Sequence, residues 1–206
     1  MSSGVSLVYQ YPWIYDFVMK LLYGPKGYKE RYEAIYQWIP SNTKVCDVCC
    51  GPGTLFKKIM PIVQIDYIGV DLNAGFESSV QAMGGKFVEH NILEDSPLPE
   101  ADVVVMQASL YHFLPDTHAV QTVIQKLFKA AKHRIIITEP VKNLSTSSVP
   151  LISWLAKRAA NPGNGDALYR FNVDSLETVL APFMAQLKHQ ATIASGREKL
   201  YVFDKK

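Results

Sequence analysis

The sequence has little excess of charge in either direction: 21 lysines and arginines stand against 19 aspartates and glutamates, a formal net charge of +2. Dedicated nucleic-acid and membrane-surface binders usually gather a basic excess on one face, so this balance argues against both. Cysteine is scarce as well, with only Cys46, Cys49 and Cys50. Neighbours so close along a chain rarely bridge one another, so the expectation is no disulfide framework and a reducing compartment. Nowhere does an apolar run approach the ~20 residues that span a bilayer. The opening stretch from Met1 to Gln10 lacks a basic region followed by an apolar run and a small-residue cleavage site. It therefore reads as no signal peptide, and the expected location is cytoplasmic. No biased tract or heptad repeat is present, which excludes collagen, coiled coil and disorder.

What remains is material for one ordinary folded unit. The 206 residues are 48% hydrophobic and 19% charged, enough to build a sizeable core within a single domain spanning residues 1–206. From Val45 onward, short β-branched runs alternate with amphipathic stretches, as in βα units on a parallel sheet. The runs are Val45 to Val48, Tyr67 to Asp71, Lys86 to Glu89, Ala101 to Gln107 and Arg134 to Glu139. Several are apolar on both faces, which suits strands covered by helices on either side. Between Asp116 and Ala131, the positions Val120, Val123, Ile124, Leu127 and Phe128 have the spacing of one buried helical face. Near the end, Asp174-Ser175-Leu176-Glu177 reads as a capping box opening a helix to about Phe183. Leu187 to Ile193 and Leu200 to Phe203 then alternate around a Ser195 to Glu198 turn, a β-hairpin that places an antiparallel strand in the sheet.

Two regions break this rhythm. Residues 1–40 read as a helical cap of two short helices, Trp13 to Leu22 and Tyr28 to Ile39, separated by Gly24-Pro25. Residues 140–172 interrupt the alternation after the fifth strand, where insertions sit on the ligand-binding face of open α/β sheets, and are read as a lid. Residues 41–139 form the cofactor-binding core and 173–206 the closing helix and hairpin. A packing appendage is the alternative for each irregular region.

The chemistry concentrates where the first apolar run ends in a glycine turn, Val45-Cys46-Asp47-Val48-Cys49-Cys50-Gly51-Pro52-Gly53-Thr54. Glycines there allow positive φ and let a ligand approach the backbone. Asp71 stands at the end of the second run, where a carboxylate can accept the hydroxyls of a ribose. The third glycine of a dinucleotide fingerprint is missing, Phe56 standing in its place, and Pro52 removes a backbone N–H that a pyrophosphate would use. No Gly-Lys-Ser/Thr follows either. The ligand should carry a ribose and no pyrophosphate. Metal chemistry is not expected, because no second Cys/His cluster completes a four-ligand set.

The turn Asp47-Val48-Cys49-Cys50-Gly51-Pro52-Gly53 resembles the acidic-x-Gly-x-Gly-x-Gly motif of the class I S-adenosylmethionine-dependent methyltransferases. The resemblance runs from about Val45 to Phe203 and implies a doubly wound, Rossmann-like α/β fold. Its seven-stranded sheet would be mostly parallel with one antiparallel strand near the C-terminus, with the N-terminal helices and the insertion after strand 5 added. It implies S-adenosylmethionine as cofactor, with Gly51 and Gly53 at its methionine part, Asp71 on the ribose, and Asp47 and Cys49 also among the cofactor-binding residues. Leu72 would pack on adenine, Asn91 and Ile92 would meet the adenine edge, and Gln107 would line the methyl-transfer site. Cys49 departs from the pattern by replacing the first glycine; if that position needs positive φ, the cysteine costs about 1 kcal/mol.

Cys-Cys-Gly at the turn, with Tyr15-Asp16 in an aromatic N-terminal segment, is similar to the quinone-biosynthesis C-methyltransferases and their small-molecule relatives. That similarity makes Tyr15 and Tyr11 cofactor-covering candidates, with a place in the core as the alternative. His112, in the Ser109 to Phe113 stretch, is a candidate general base with an ordinary pKa of ~6.5, or else a residue that holds its loop. Glu139 is a second candidate, with an anchoring role as its alternative. The motifs of base-amine, arginine and metal-dependent catechol methyltransferases are absent. The expected partner is a small aromatic or lipophilic acceptor, with no nucleic acid and no membrane insertion. A non-catalytic cofactor-binding protein, and an RNA methyltransferase resting on the Lys126 to Arg134 basic cluster, stand as alternatives.

Overall fold

In the computed structural model, residues 12–142 and 169–205 are described, with side chains from Phe17 onward. The chain begins with α1 (Pro12–Tyr36), whose backbone leaves helical geometry at Gly24. The two expected N-terminal helices therefore meet end to end across a kink at Gly24-Pro25, and the second ends at Tyr36, three residues before the predicted Ile39. Then follow β1 (Thr43–Val48), α2 (Thr54–Ile59), β2 (Ile65–Asp71), α3 (Glu77–Ala82), β3 (Lys86–Glu89) and β4 (Ala101–Gln107). The chain continues through α4 (Thr117–Ala130), β5 (Ala131–Pro140), α5 (Val173–Leu180), β6 (Leu187–Ile193) and β7 (Glu198–Asp204).

The seven strands form one sheet in the order β3-β2-β1-β4-β5-β7-β6. β1 pairs parallel with both β2 and β4, and β4 with β5. β7 alone runs against both its neighbours, β5 and β6. The expected mixed sheet is the one observed.

Apolar residues on both sides of the strands explain the uninterrupted runs. One face, with Cys46, Val48, Val104, Met106, Ile135 and Ile137, packs on Val120, Ile124 and Leu127 of α4 and Leu176 of α5. The other, with Val45, Val103, Val105, Ile136, Leu200 and Val202, is covered by Val18, Leu22, Tyr28, Tyr32 and Ile35 of α1. α4 begins where the spacing placed it, because the Asp116 side chain accepts the His118 and Ala119 backbone N–H groups at 2.9 and 3.0 Å.

The capping box lies two residues earlier than expected. Asn172 accepts from the Ser175 N–H at 2.8 Å while the Ser175 hydroxyl accepts from the Asn172 N–H at 3.0 Å, so Asp174 falls inside the first turn. α5 also ends at Leu180, ahead of Phe183, because Pro182 lacks the N–H that another α-turn requires; the chain continues as a 3-10 segment, Ala181–Gln186.

A buried ion pair fastens α1 to β7. Arg31 and Glu198 are 1% and 0% exposed, the Arg31 Nε donates to Glu198 Oε2 at 2.9 Å, and the Tyr23 hydroxyl donates to Oε1 at 2.6 Å. Within the basic cluster, Arg134 turns inward to Asp204 at 2.7 Å and to the Trp38 carbonyl at 3.0 Å, and Lys126 donates to the Glu94 carbonyl. Among the described residues, no helix is long and apolar enough to cross a membrane. The predicted lid lies largely outside the described residues, as does Tyr11.

Candidate active site

Between β1 and β4 the strand order reverses direction, and in open α/β sheets that reversal opens a crevice beyond the strand ends. A cavity of about 580 Å³ occupies this place, within the ~300–1,000 Å³ usual for small-molecule sites. Its wall is drawn from the ends of four strands: Asp47 to Pro52 after β1, Val70 to Asn73 after β2, His90 to Leu93 after β3 and Gln107 to Ser109 after β4. His112 and Phe113 complete it.

The turn after β1 passes through left-handed geometry at Cys49 (φ 60), Gly51 (φ 53) and Gly53 (φ 75). Cys49 thus occupies the conformation that a glycine would adopt freely, and the penalty of about 1 kcal/mol applies. A Cβ at Gly53 would lie 2.8 Å from Met83 Cε, whereas at Gly51 it would meet nothing within 4 Å. Gly53 is bare for packing. Gly51 is bare beside open space.

Asp71 draws this turn to the end of β2. Its Oδ2 accepts the Gly51 N–H at 2.9 Å and its Oδ1 the Asn73 N–H at 3.0 Å. Burial raises its pKa, opposed by these donors, and each oxygen keeps a further lone pair for a ligand. Asp47 lies deeper, 2% exposed, and accepts the Tyr67 hydroxyl at 2.7 Å. Burial pushes Asp47 up to about 7 against that hydrogen bond. Tyr67, stacked on Phe56 with centroids 4.2 Å apart, is a supporting residue that sequence reasoning missed; only the fold brings it to Asp47.

The far side of the cavity is apolar. Leu72 and Leu93 remain 50% and 52% exposed while Phe76 and Ile92 are buried, which leaves two aliphatic side chains for a flat ligand to cover. The Asn91 side chain accepts from the Leu93 N–H at 3.1 Å and so shapes its own turn. His90, also missed, brings a buried Nε2 without a partner to this wall, and Gln107 brings a buried unpartnered Nε2 from the end of β4. Unpaired buried donors are rare, and in a cavity wall they mark places for ligand atoms.

His112 sits on the cavity rim with its ring 4.0 Å from that of Tyr111. Its outer edge is exposed, but the protein crowded around it, and then the Arg170 charge, lower its pKa to about 4. This departs from the ordinary value that the sequence suggested. Glu139 does not line the cavity. It is wholly buried, and both its oxygens accept backbone N–H groups: Oε2 from Ser109 and Leu110 at 3.1 Å each, Oε1 from Tyr111 at 3.3 Å. Burial raises it to about 8 despite these donors. The structure therefore brings together Asp47, Cys49, Gly51, Asp71, Leu72, Asn91, Ile92, Gln107 and His112, with Gly53 packed just behind. Glu139 stands apart, and the Tyr15 side chain lies outside those described. Among the described residues, no three His, Cys, Asp or Glu side chains are grouped to hold a metal.

A family model described as a methyltransferase domain matches residues 22–181. No curated protein matches the sequence. Solved structures with the same fold include the magnesium protoporphyrin IX methyltransferase of Synechocystis with bound S-adenosylhomocysteine. That structure is 15% identical, covers 93% of this chain and 94% of its own, and has a TM-score of 0.63. The N-methyltransferase of Bradyrhizobium japonicum in complex with S-adenosylhomocysteine is 13% identical, covering 93% and 97%, with a TM-score of 0.61. A Haloferax volcanii methyltransferase in complex with the Trm112 activator is 12% identical, covering 98% and 99%, with a TM-score of 0.67.

Proposed function

Because this chain belongs to the methyltransferase domain family, we propose that it transfers the methyl group of S-adenosylmethionine to a small acceptor without a metal. The observation that carries this reading is the Gly51 turn bound to Asp71 across the mouth of the cavity. Gly51 leaves open the space a side chain would fill, and the Asp71 carboxylate behind it can take the ribose hydroxyls. Leu72, Leu93, Ile92 and the His90 edge suit an adenine, and Gln107 faces the methionine end. Two of the structural neighbours hold S-adenosylhomocysteine, the demethylated form of that cofactor.

Bound there, S-adenosylmethionine supplies an electrophilic methyl on a sulfonium that is its own leaving group. The chain has to align an acceptor, exclude water and, for a hydroxyl, guide a proton away. His112 is the polar side chain on the rim suited to the last task. With a pKa near 4 it is neutral at physiological pH, a weak base but a ready hydrogen-bond acceptor that can orient a hydroxyl. The described residues of α1 pack on the sheet and none lines the cavity, so the acceptor side is read from the Ser109 to Phe113 stretch, where Phe113 in the wall favours an aromatic or lipophilic acceptor. The inward turn of Arg134 weakens the RNA reading, which rested on its cluster.

Labelled methyl transfer to a panel of small acceptors tests the activity. Turnover excludes the non-catalytic alternative, whereas binding without transfer across the panel supports that alternative. For His112, kcat should stay level from pH 8 to about 5 and fall only below that, as the imidazole protonates. His112→Ala should lower kcat about tenfold or more. A profile breaking near pH 6.5, or normal turnover by His112→Ala, removes the assignment.

A further inference from the structure

We propose that Glu139 is a positioning residue that caps, from a neighbouring strand, the turn presenting His112 and Phe113 to the acceptor. The proposal rests on the methyl-transfer reading for its kinetic consequence, but its structural part is independent of it.

The chain leaves β4 through Ala108, whose φ of 51 turns it back across the end of β5. The Ala108 N–H continues the ladder to the Thr138 carbonyl at 2.7 Å. Ser109 then starts a 3-10 turn, Leu110–Phe113, and its side chain does not cap it; the hydroxyl donates instead to the Gln107 carbonyl at 2.9 Å. Three successive N–H groups, those of Ser109, Leu110 and Tyr111, would be orphaned at the head of the turn. Glu139 accepts all three, which gives the turn in trans the acidic cap that a helix start ordinarily takes from its own chain. The Arg170 guanidinium in turn lies over the Tyr111 ring, 3.9 Å from its centroid. The turn is gripped at its backbone and at its aromatic side chain, and His112 and Phe113 follow directly into the cavity wall. A carboxyl group with both oxygens engaged by backbone N–H groups and no cavity surface holds the loop and does not take the substrate's proton.

Substitution with glutamine separates the two roles. Glu139→Gln keeps one oxygen for the Ser109 and Leu110 N–H groups and faces the Tyr111 N–H with its own N–H₂; Glu139→Ala keeps none. Amide hydrogen exchange of the ligand-free protein should show faster exchange at Tyr111 alone in Glu139→Gln and at Ser109, Leu110 and Tyr111 in Glu139→Ala. S-adenosylhomocysteine affinity should stay within about threefold in Glu139→Gln, which keeps the Ser109 and Leu110 N–H groups bound and leaves the cavity wall in place. With a turned-over acceptor, kcat/KM should fall by less than about tenfold in Glu139→Gln and on the order of 10²-fold in Glu139→Ala, the usual cost of a misplaced group. Equal kinetic loss in the two variants would mean that Glu139 works as a proton acceptor and would overturn the proposal. Unchanged exchange at residues 109–111 in Glu139→Ala would overturn it too. Should Glu139→Ala not fold, the Glu139→Gln exchange pattern decides. If the wild type methylates nothing, the function reading fails while the exchange result still tests the cap.

Discussion

Asp71→Ala should weaken binding of S-adenosylmethionine and S-adenosylhomocysteine by at least about tenfold, roughly 1.4 kcal/mol, with the loss reaching on the order of a hundredfold. Two effects add. The variant removes the carboxylate that would accept the ribose hydroxyls, and hydrogen bonds to charged groups contribute about 1.5–3 kcal/mol each. It also frees the Gly51 N–H that Asp71 holds at 2.9 Å, so the turn itself loosens. Asp71→Asn, which keeps one acceptor oxygen and brings an N–H₂ where the other stood, should fall between wild type and alanine. Calorimetric titration of the three proteins measures the series. Unchanged affinity in Asp71→Ala would show that Asp71 shapes the turn and holds no ribose.

The largest effect on stability is expected in the other half of the sheet, on β7. Glu198→Ala should destabilise the fold by about 3–5 kcal/mol, because it removes one member of a wholly buried ion pair. The Tyr23 hydroxyl loses its acceptor at the same time. Replacing both partners, Arg31→Met with Glu198→Leu, should cost much less, within about 2 kcal/mol of wild type, since no charge is then stranded. Urea unfolding of the single and double variants measures this difference. A loss below about 1 kcal/mol in Glu198→Ala would show that water reaches Arg31.

Much of this architecture was legible in the sequence, for reasons visible in particular residues. Val103-Val104-Val105-Met106 and Ile135-Ile136-Ile137 are apolar on both faces because helices cover both faces, and such runs are hard to mistake. The apolar spacing from Val120 to Phe128 announced α4, and the glycine turn and Asp71 announced the cavity. Less legible was whatever depends on a residue's partner. Asn172 and Asp174 both resemble caps, and only the backbone shows that Asn172 pairs with Ser175. The left-handed geometry of Cys49 was conditional on a pattern and is now a fact of the turn. Glu139 is a catalytic candidate in the sequence with anchoring as its alternative; its three N–H partners lie 28 to 30 residues away, and no local signal names them. His112 lines the cavity near its mouth, but its lowered pKa comes from the protein packed around the ring and then from Arg170, which only the fold brings near.

The central claim, a cofactor seated against the glycine turn, is tested most directly by titrating wild type and Gly51→Ala with S-adenosylhomocysteine. Gly51 has a φ of 53 and open space where a Cβ would go, so the alanine should cost the fold only about 1 kcal/mol while standing where the ligand must lie. The account predicts saturable binding to the wild type with a Kd on the order of 1 μM. It predicts no saturation at about a hundredfold higher concentration by a folded Gly51→Ala protein. Equal binding by both proteins, or none by the folded wild type, would contradict it.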